Sequence, residues 1–127
     1  MCIENIKPSP FTEPQIFYKN FEAEGYGDDL RLFDWNCGRT EYHSPYVWDP
    51  AYEPDQAWEQ TGFCAWIYPA DAELMNEQEV QRPHGRHLYA RIRVLPEDII
   101  GIGNAPWADN REAVIVRAFE ILNLEED

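Results

Sequence analysis

The sequence predicts an α+β domain: a mainly antiparallel sheet of five to six strands with one short helix. Three observations predict it. Apolar and polar residues alternate over several short stretches, which is the period of a half-buried strand. One stretch, PADAELMNEQE from Pro69, opens with helix-start signals. Prolines and glycines separate these stretches at short intervals.

Residues 1–14 carry Pro8, Pro10 and Pro14 with few apolar side chains. They read as an extended arm that orders only where something packs on it. The rest, 15–127, reads as one domain. Gln15 to Phe21 is the first strand, with Ile16, Tyr18 and Asn20 on one face and Phe17, Lys19 and Phe21 on the other. The acidic, glycine-bearing EAEGYGDD follows as a turn. Leu30 to Trp35 is a second strand, and Cys37-Gly38-Arg39 a turn. Residues 42–61 hold Tyr42, Tyr46, Trp48, Tyr52 and Trp58 among Pro45, Pro50 and Pro54. Prolines this dense argue against a central strand or a long helix. The stretch reads as an ordered aromatic loop, with one short helical turn near Asp55 to Glu59.

Gly62 to Tyr68 is a compact strand. Pro69 suits a first helical position, which needs no N–H. Asp71 and Glu73 suit the positive end of the helix dipole. Arg86 to Leu95 is the clearest strand: Leu88, Ala90, Ile92 and Val94 alternate with Tyr89, Arg91 and Arg93. Pro96-Glu97-Asp98 turns the chain, Ile99 to Ile102 is a short strand, and Gly103 to Asn110 a loop. Glu112 to Leu122 closes the domain. A helix competes there, but the β-branched run Val114-Ile115-Val116 favours a strand, apolar on both faces as a central strand is.

The formal net charge is −14. On an aromatic-rich, folding-competent composition this argues about partners rather than fold. It opposes direct binding to nucleic acid and suits a basic protein partner. Cys2, Cys37 and Cys64 are odd in number and lack paired spacing, so they read as free thiols in a reducing compartment. The N-terminal MCIENIKPSPFTEP has no secretory pattern, and no apolar run reaches a membrane span. A cytoplasmic location without a membrane partner is expected. Self-association is left open.

The charge is uneven. Residues 1–79 hold 16 acids and 4 bases, residues 97–127 hold 8 acids and 2 bases, and residues 80–96 hold Arg82, Arg86, Arg91 and Arg93 with no acid. His84 and His87 lie in the same island. Eight of the ten bases are Arg, the residue for bidentate recognition of phosphate or carboxylate. Two readings compete: the arginines pair with surrounding acids, or they face a ligand. In the second, a ligand site forms from Arg39, Arg91, Arg93, Trp48 and Tyr89, with Arg117 able to join. The aromatic loop would supply a stacking platform or a protein hot spot, or else fill a core edge.

Catalytic signals are weak. His84-x-x-His87 lacks the further ligands that a metal site needs. Cys64 lies in an apolar strand and reads as packed, not reactive. Glu97-Asp98 could serve acid–base chemistry or cap a turn. Gly101-Ile102-Gly103 is too short for a dinucleotide loop. No catalytic residue, metal or cofactor is assigned, and a binding protein is favoured over an enzyme.

Several short pieces together resemble a loose class of small phage and bacterial accessory proteins of anti-defence type. These are Tyr18-Lys19, Gly38-Arg39-Thr40, Gly62-Phe63-Cys64-Ala65-Trp66, Pro69-Ala70-Asp71-Ala72, Val94-Leu95-Pro96-Glu97-Asp98-Ile99 and Ala113-Val114-Ile115-Val116-Arg117. The resemblance implies a mobile-element origin and an accessory role, and transfers no site residue. The lead expectation is a non-enzymatic acidic binding protein that antagonises a host defence or nucleoprotein partner, partly by nucleic-acid mimicry. The alternatives are a nucleotide-binding protein that sequesters or turns over a phosphorylated or ADP-ribose-like signal, and an immunity-like protein that neutralises a basic toxin.

Overall fold

The computed structural model describes residues 3–34, 41–49, 62–78 and 86–126. Along them run ten strands: β1 (Glu4–Lys7), β2 (Gln15–Glu24), β3 (Arg31–Asp34), β4 (Glu41–Tyr42), β5 (Tyr46–Val47), β6 (Phe63–Trp66), β7 (Arg86–Val94), β8 (Ile99–Ala105), β9 (Arg111–Val116) and β10 (Ala118–Glu126). One α-helix, α1 (Pro69–Gln78), lies between β6 and β7. The strands join in the order β1-β8-β9-β6-β2-β7-β10-β5, and β3 and β4 branch from β2. The described pairings are all antiparallel.

Connectivity forces this sheet to curl. Three strands, β6, β2 and β7, stand between β9 and β10. In a flat sheet that would separate the two by at least about 19 Å. Only Arg117 separates them in sequence, and two consecutive peptide units span at most about 7 Å. The sheet therefore wraps into a half-barrel. The corner is held through the backbone of Arg117. Its N–H donates to the Asp98 carbonyl at 2.7 Å, and its carbonyl accepts from the Trp48 N–H at 2.7 Å.

Period-2 alternation gives the sheet two faces. The inner face holds Phe17, Phe21, Leu88, Ala90, Ile92, Val94, Phe63, Ala65, Val114, Val116 and Phe119, all buried. Its aromatics interlock: Phe63 meets Phe119 at 4.8 Å, Tyr42 at 5.1 Å and Trp48 at 5.2 Å between ring centroids. Each fully buried ring stabilises the fold by about 1.5–3 kcal/mol through removal from water. Lys19 is a polar exception on this face. It is 6% exposed, donates to the Cys64 carbonyl at 3.0 Å, and places its ammonium 5.4–5.6 Å from the ring centroids of Phe21, Tyr42 and Phe63. Ring faces and a carbonyl together take the place of water around that charge.

On the outer face α1 packs its Ala72 and Met75 against Trp66, Tyr89 and Ile115. The helix forms where the sequence predicts it, from Pro69, and is described as far as Gln78.

The mainly antiparallel sheet with one helix agrees with the expectation, but the strand number does not. Ten strands replace five to six, for three reasons. The N-terminal arm supplies β1, which pairs with β8 and buries Ile3. The aromatic loop supplies two-residue strands, β4 and β5, too short to leave a periodic signal. The closing stretch 112–122 is not one strand: it breaks at Arg117 and serves both ends of the sheet. The expected loop from Gly103 begins as strand, since β8 runs to Ala105. The turn at Cys37-Gly38-Arg39, the part of the aromatic loop from Pro50 to Thr61, Arg82 and His84 lie outside the described residues.

Candidate functional site

Strands β2 and β7 pair in register from Gln15↔Val94 to Ala23↔Arg86. Their outward residues therefore form a ladder of cross-strand pairs: Glu22↔His87, Asn20↔Tyr89, Tyr18↔Arg91 and Ile16↔Arg93. β10 extends two rungs, placing Asn123 beside Arg91 and Glu120 beside Arg93. Polar residues dominate a face that a simple half-buried sheet would give to solvent. Here α1 covers only the middle.

The covered middle is held by side-chain hydrogen bonds. Asn20 accepts from Trp66 Nε1 at 2.8 Å and donates through Nδ2 to the Ala72 carbonyl at 2.9 Å. Tyr89 donates its hydroxyl to Glu73 at 3.0 Å and meets Tyr18 edge-on at 6.5 Å. Asp71, buried at the start of α1, receives Arg111 at 2.6 Å. At one end, His87 and Glu22 meet at 3.2 Å with side chains only 8% and 7% exposed. Leaving any of these polar groups without its partner would cost about 1–3 kcal/mol, so their first effect is to seat the helix on the sheet.

The other end is open. Arg91 and Arg93 are exposed. Among the described residues neither forms an ion pair or a hydrogen bond. Two residues apart on one strand, they stand about 7 Å from each other. Such a pair suits an anion carrying several oxygens. Arg93 also reaches a shallow cleft of about 200 Å³, walled by Pro45, Tyr46, Val47, Leu95, Ala118 and Phe119. Asp98 and Glu120 line that cleft as well. Their charge opposes an anion there and favours the Arg91 side.

The five predicted ligand residues do not meet as a set. Arg91 and Arg93 share the open end. Tyr89 has the same strand parity but is 8% exposed beneath α1. Trp48 packs on the inner cluster against Phe63, on the opposite face of the sheet. Arg39 lies outside the described residues. Arg117 is engaged elsewhere, donating to the Glu97 carbonyl at 3.0 Å and approaching Asp98 at 3.8 Å. That contact gives the Glu97-Asp98 turn a structural use. Tyr18, Asn20 and Glu22 are site residues that the sequence reading passed over. Their signal was available: three polar or amphipathic residues at period 2 on one face, alternating with Phe17, Phe21 and Ala23 on the other.

Arg31 and Arg86 are also engaged, whereas Lys7 is exposed and forms no side-chain hydrogen bond or ion pair among the described residues. Arg31 forks onto Glu41 with two bonds of 2.9 Å. This bond and its charge raise the Arg31 pKa above its ordinary value and hold the Glu41 carboxyl below the usual carboxylate range. Arg86 donates to the Gly25 carbonyl at 2.7 Å. By contrast, Glu4, Glu13, Asp28, Asp29, Glu97, Asp109, Glu112 and Glu120 are exposed and form no ion pair among the described residues.

No group of three or more His, Cys, Asp or Glu among the described residues could hold a metal ion. No described helix is long and apolar enough to cross a membrane. No family model, curated protein or solved structure matches the chain.

Proposed function

We propose that this chain is a non-enzymatic acidic binding protein that engages a basic protein partner. One observation carries the reading. Among the described residues the arginine ion pairs engage Arg31, Arg111 and Arg117, while the eight carboxylates named above are exposed and form no ion pair. The molecule thus presents a surplus of negative charge on a half-barrel, which steers and orients a positively charged partner. In the mobile-element setting that the sequence resemblance implies, the partner is a host defence factor or nucleoprotein, met partly by nucleic-acid mimicry. A basic toxin would present the same chemistry, and the identity of the captured protein separates the two.

The test is capture of a basic, nucleic-acid-binding protein from lysate, followed by titration of the purified pair with salt. Binding should weaken at least tenfold as ionic strength rises from about 0.05 to 0.5 M, because the Debye length contracts severalfold. A non-basic partner, or affinity indifferent to salt, refutes the reading.

A second reading has its own observation: among the described residues Arg91 and Arg93 form no side-chain ion pair despite the acid excess. They support a site for a phosphorylated small molecule on the outer face, next to Tyr18. A nucleotide panel at about a hundredfold excess over a micromolar Kd should stabilise the fold by about 2.7 kcal/mol. The absence of a thermal shift with every nucleotide removes this alternative.

A further inference from the structure

The hairpin between β2 and β3 carries an exposed aromatic that the fold has taken trouble to hold upright. Gly25 has φ +76° and Gly27 φ +58°. A Cβ at Gly25 would run into the Asp29 carbonyl, so the turn requires glycine there. Between them Tyr26 is 73% exposed. The guanidinium of Arg86, at the start of β7, lies 3.8 Å from the centre of its ring. That guanidinium is itself anchored, by the 2.7 Å bond to the Gly25 carbonyl. One ring face is therefore covered and the opposite face is offered to solvent. Glu24, Asp28 and Asp29 lie within three residues of Tyr26 on the same hairpin, all exposed.

We infer that the Tyr26 tip is the anchor of the partner-binding surface, and that it receives an arginine side chain of the basic partner. The inference rests on the acidic-binding reading above and names its contact point. A guanidinium stacks flat on an aromatic face and donates in-plane hydrogen bonds at the same time. The open ring face supplies the first interaction, and the rim carboxylates supply the second. Arg86 adds one positive charge behind the ring and Arg31 stands 3.8 Å from Glu24, which leaves Asp28 and Asp29 as the carboxylates that meet the incoming guanidinium. A lysine ammonium gains the charge but not the stack. A nucleobase could stack, yet its phosphates would meet Glu24, Asp28 and Asp29. Because Tyr26 is already immobilised by Arg86, little side-chain entropy remains to be lost on binding, as at other preorganised hot spots.

The experiment uses the full chain and two fluorescent peptides of equal length and charge, one alternating Arg with Gly and the other Lys with Gly. At low salt the Arg peptide should bind more tightly than the Lys peptide. Tyr26→Ala should weaken the Arg peptide about tenfold and erase the preference. Tyr26→Phe, which keeps the ring, should bind like the parent. Asp28→Asn with Asp29→Asn should weaken both peptides, and thermal unfolding of each variant checks that the fold is kept. If Tyr26→Ala binds both peptides like the parent, the anchor is overturned while the acidic-binding reading stands. If the parent binds neither peptide, both fall.

Discussion

The two faces of β2 and β7 are made by the same two strands and differ in almost every property. The inner face is aromatic, interlocked and apolar but for Lys19, with Phe17, Phe21, Leu88, Ile92 and Val94 at most 1% exposed. The outer face is a polar ladder that α1 covers in the middle and leaves open at Arg91 and Arg93. The inner residues close the half-barrel by removing apolar surface from water. The outer residues add hydrogen bonds that choose where the helix sits, and where it stops covering. The apolar core and the exposed charged groups are thus separated by a single residue step along each strand.

Four substitutions test that division, beginning with the deepest. Phe63→Ala empties the point where Phe119, Tyr42 and Trp48 converge. It should destabilise the protein by about 3–5 kcal/mol, read from urea denaturation. A loss below 1 kcal/mol would mean that the inner face is not the principal core. Asn20→Ala orphans Trp66 Nε1 and frees the Ala72 carbonyl. The expected loss is about 1–3 kcal/mol, and amide exchange should accelerate in α1 more than in β7.

A smaller effect sits at the barrel corner. Tyr46 stacks on Phe119 with centroids 5.0 Å apart, and burial raises its phenol pKa. The folded state therefore holds the phenol proton more tightly than the unfolded chain does. Stability contributed by the neutral phenol is complete below the ordinary tyrosine pKa of about 10 and declines above it. Tyr46→Phe should flatten this alkaline decline, and identical alkaline unfolding of both proteins would rule the mechanism out. The smallest effect on stability belongs to Arg91→Ala with Arg93→Ala. With no partner to lose among the described residues, the pair should change stability by no more than about 0.5 kcal/mol. A larger loss would show that these side chains serve the fold, and would remove the support for an outer-face ligand.

Much of the sheet was legible because strand alternation is local. The two faces of β2, the parity of β7 and the helix from Pro69 all follow from spacing along the chain. The rest was not local. β1 looked like an arm because its partner, β8, lies far along the sequence. The Gly101-Ile102-Gly103 run looked like a fragment of a loop. Its glycines instead admit β1: a Cβ at Gly101 would stand 2.9 Å from the Lys7 carbonyl, and one at Gly103 would strike the Glu4 carbonyl. Arg117 gave no hint of a corner, since residues 111–127 hold no glycine or proline.

The candidate site divides in the same way. That Arg91 and Arg93 share a face is a consequence of period 2, and the sequence settled it alone. Whether they would be neutralised depended on which carboxylates came near. The register places Glu120 beside Arg93 and yet no ion pair forms, an outcome of side-chain geometry rather than composition. Tyr89 and Trp48 were separated from that pair by tertiary structure: α1 came down over one, and the curl of the sheet took the other to the inner face. By itself the sequence determined the strand faces, the helix and the acid excess, since each depends on residue type and short spacing. Only the fold decided the number of strands, the corner at Arg117 and the exposure of each charged group, because these depend on which distant segments share a wall.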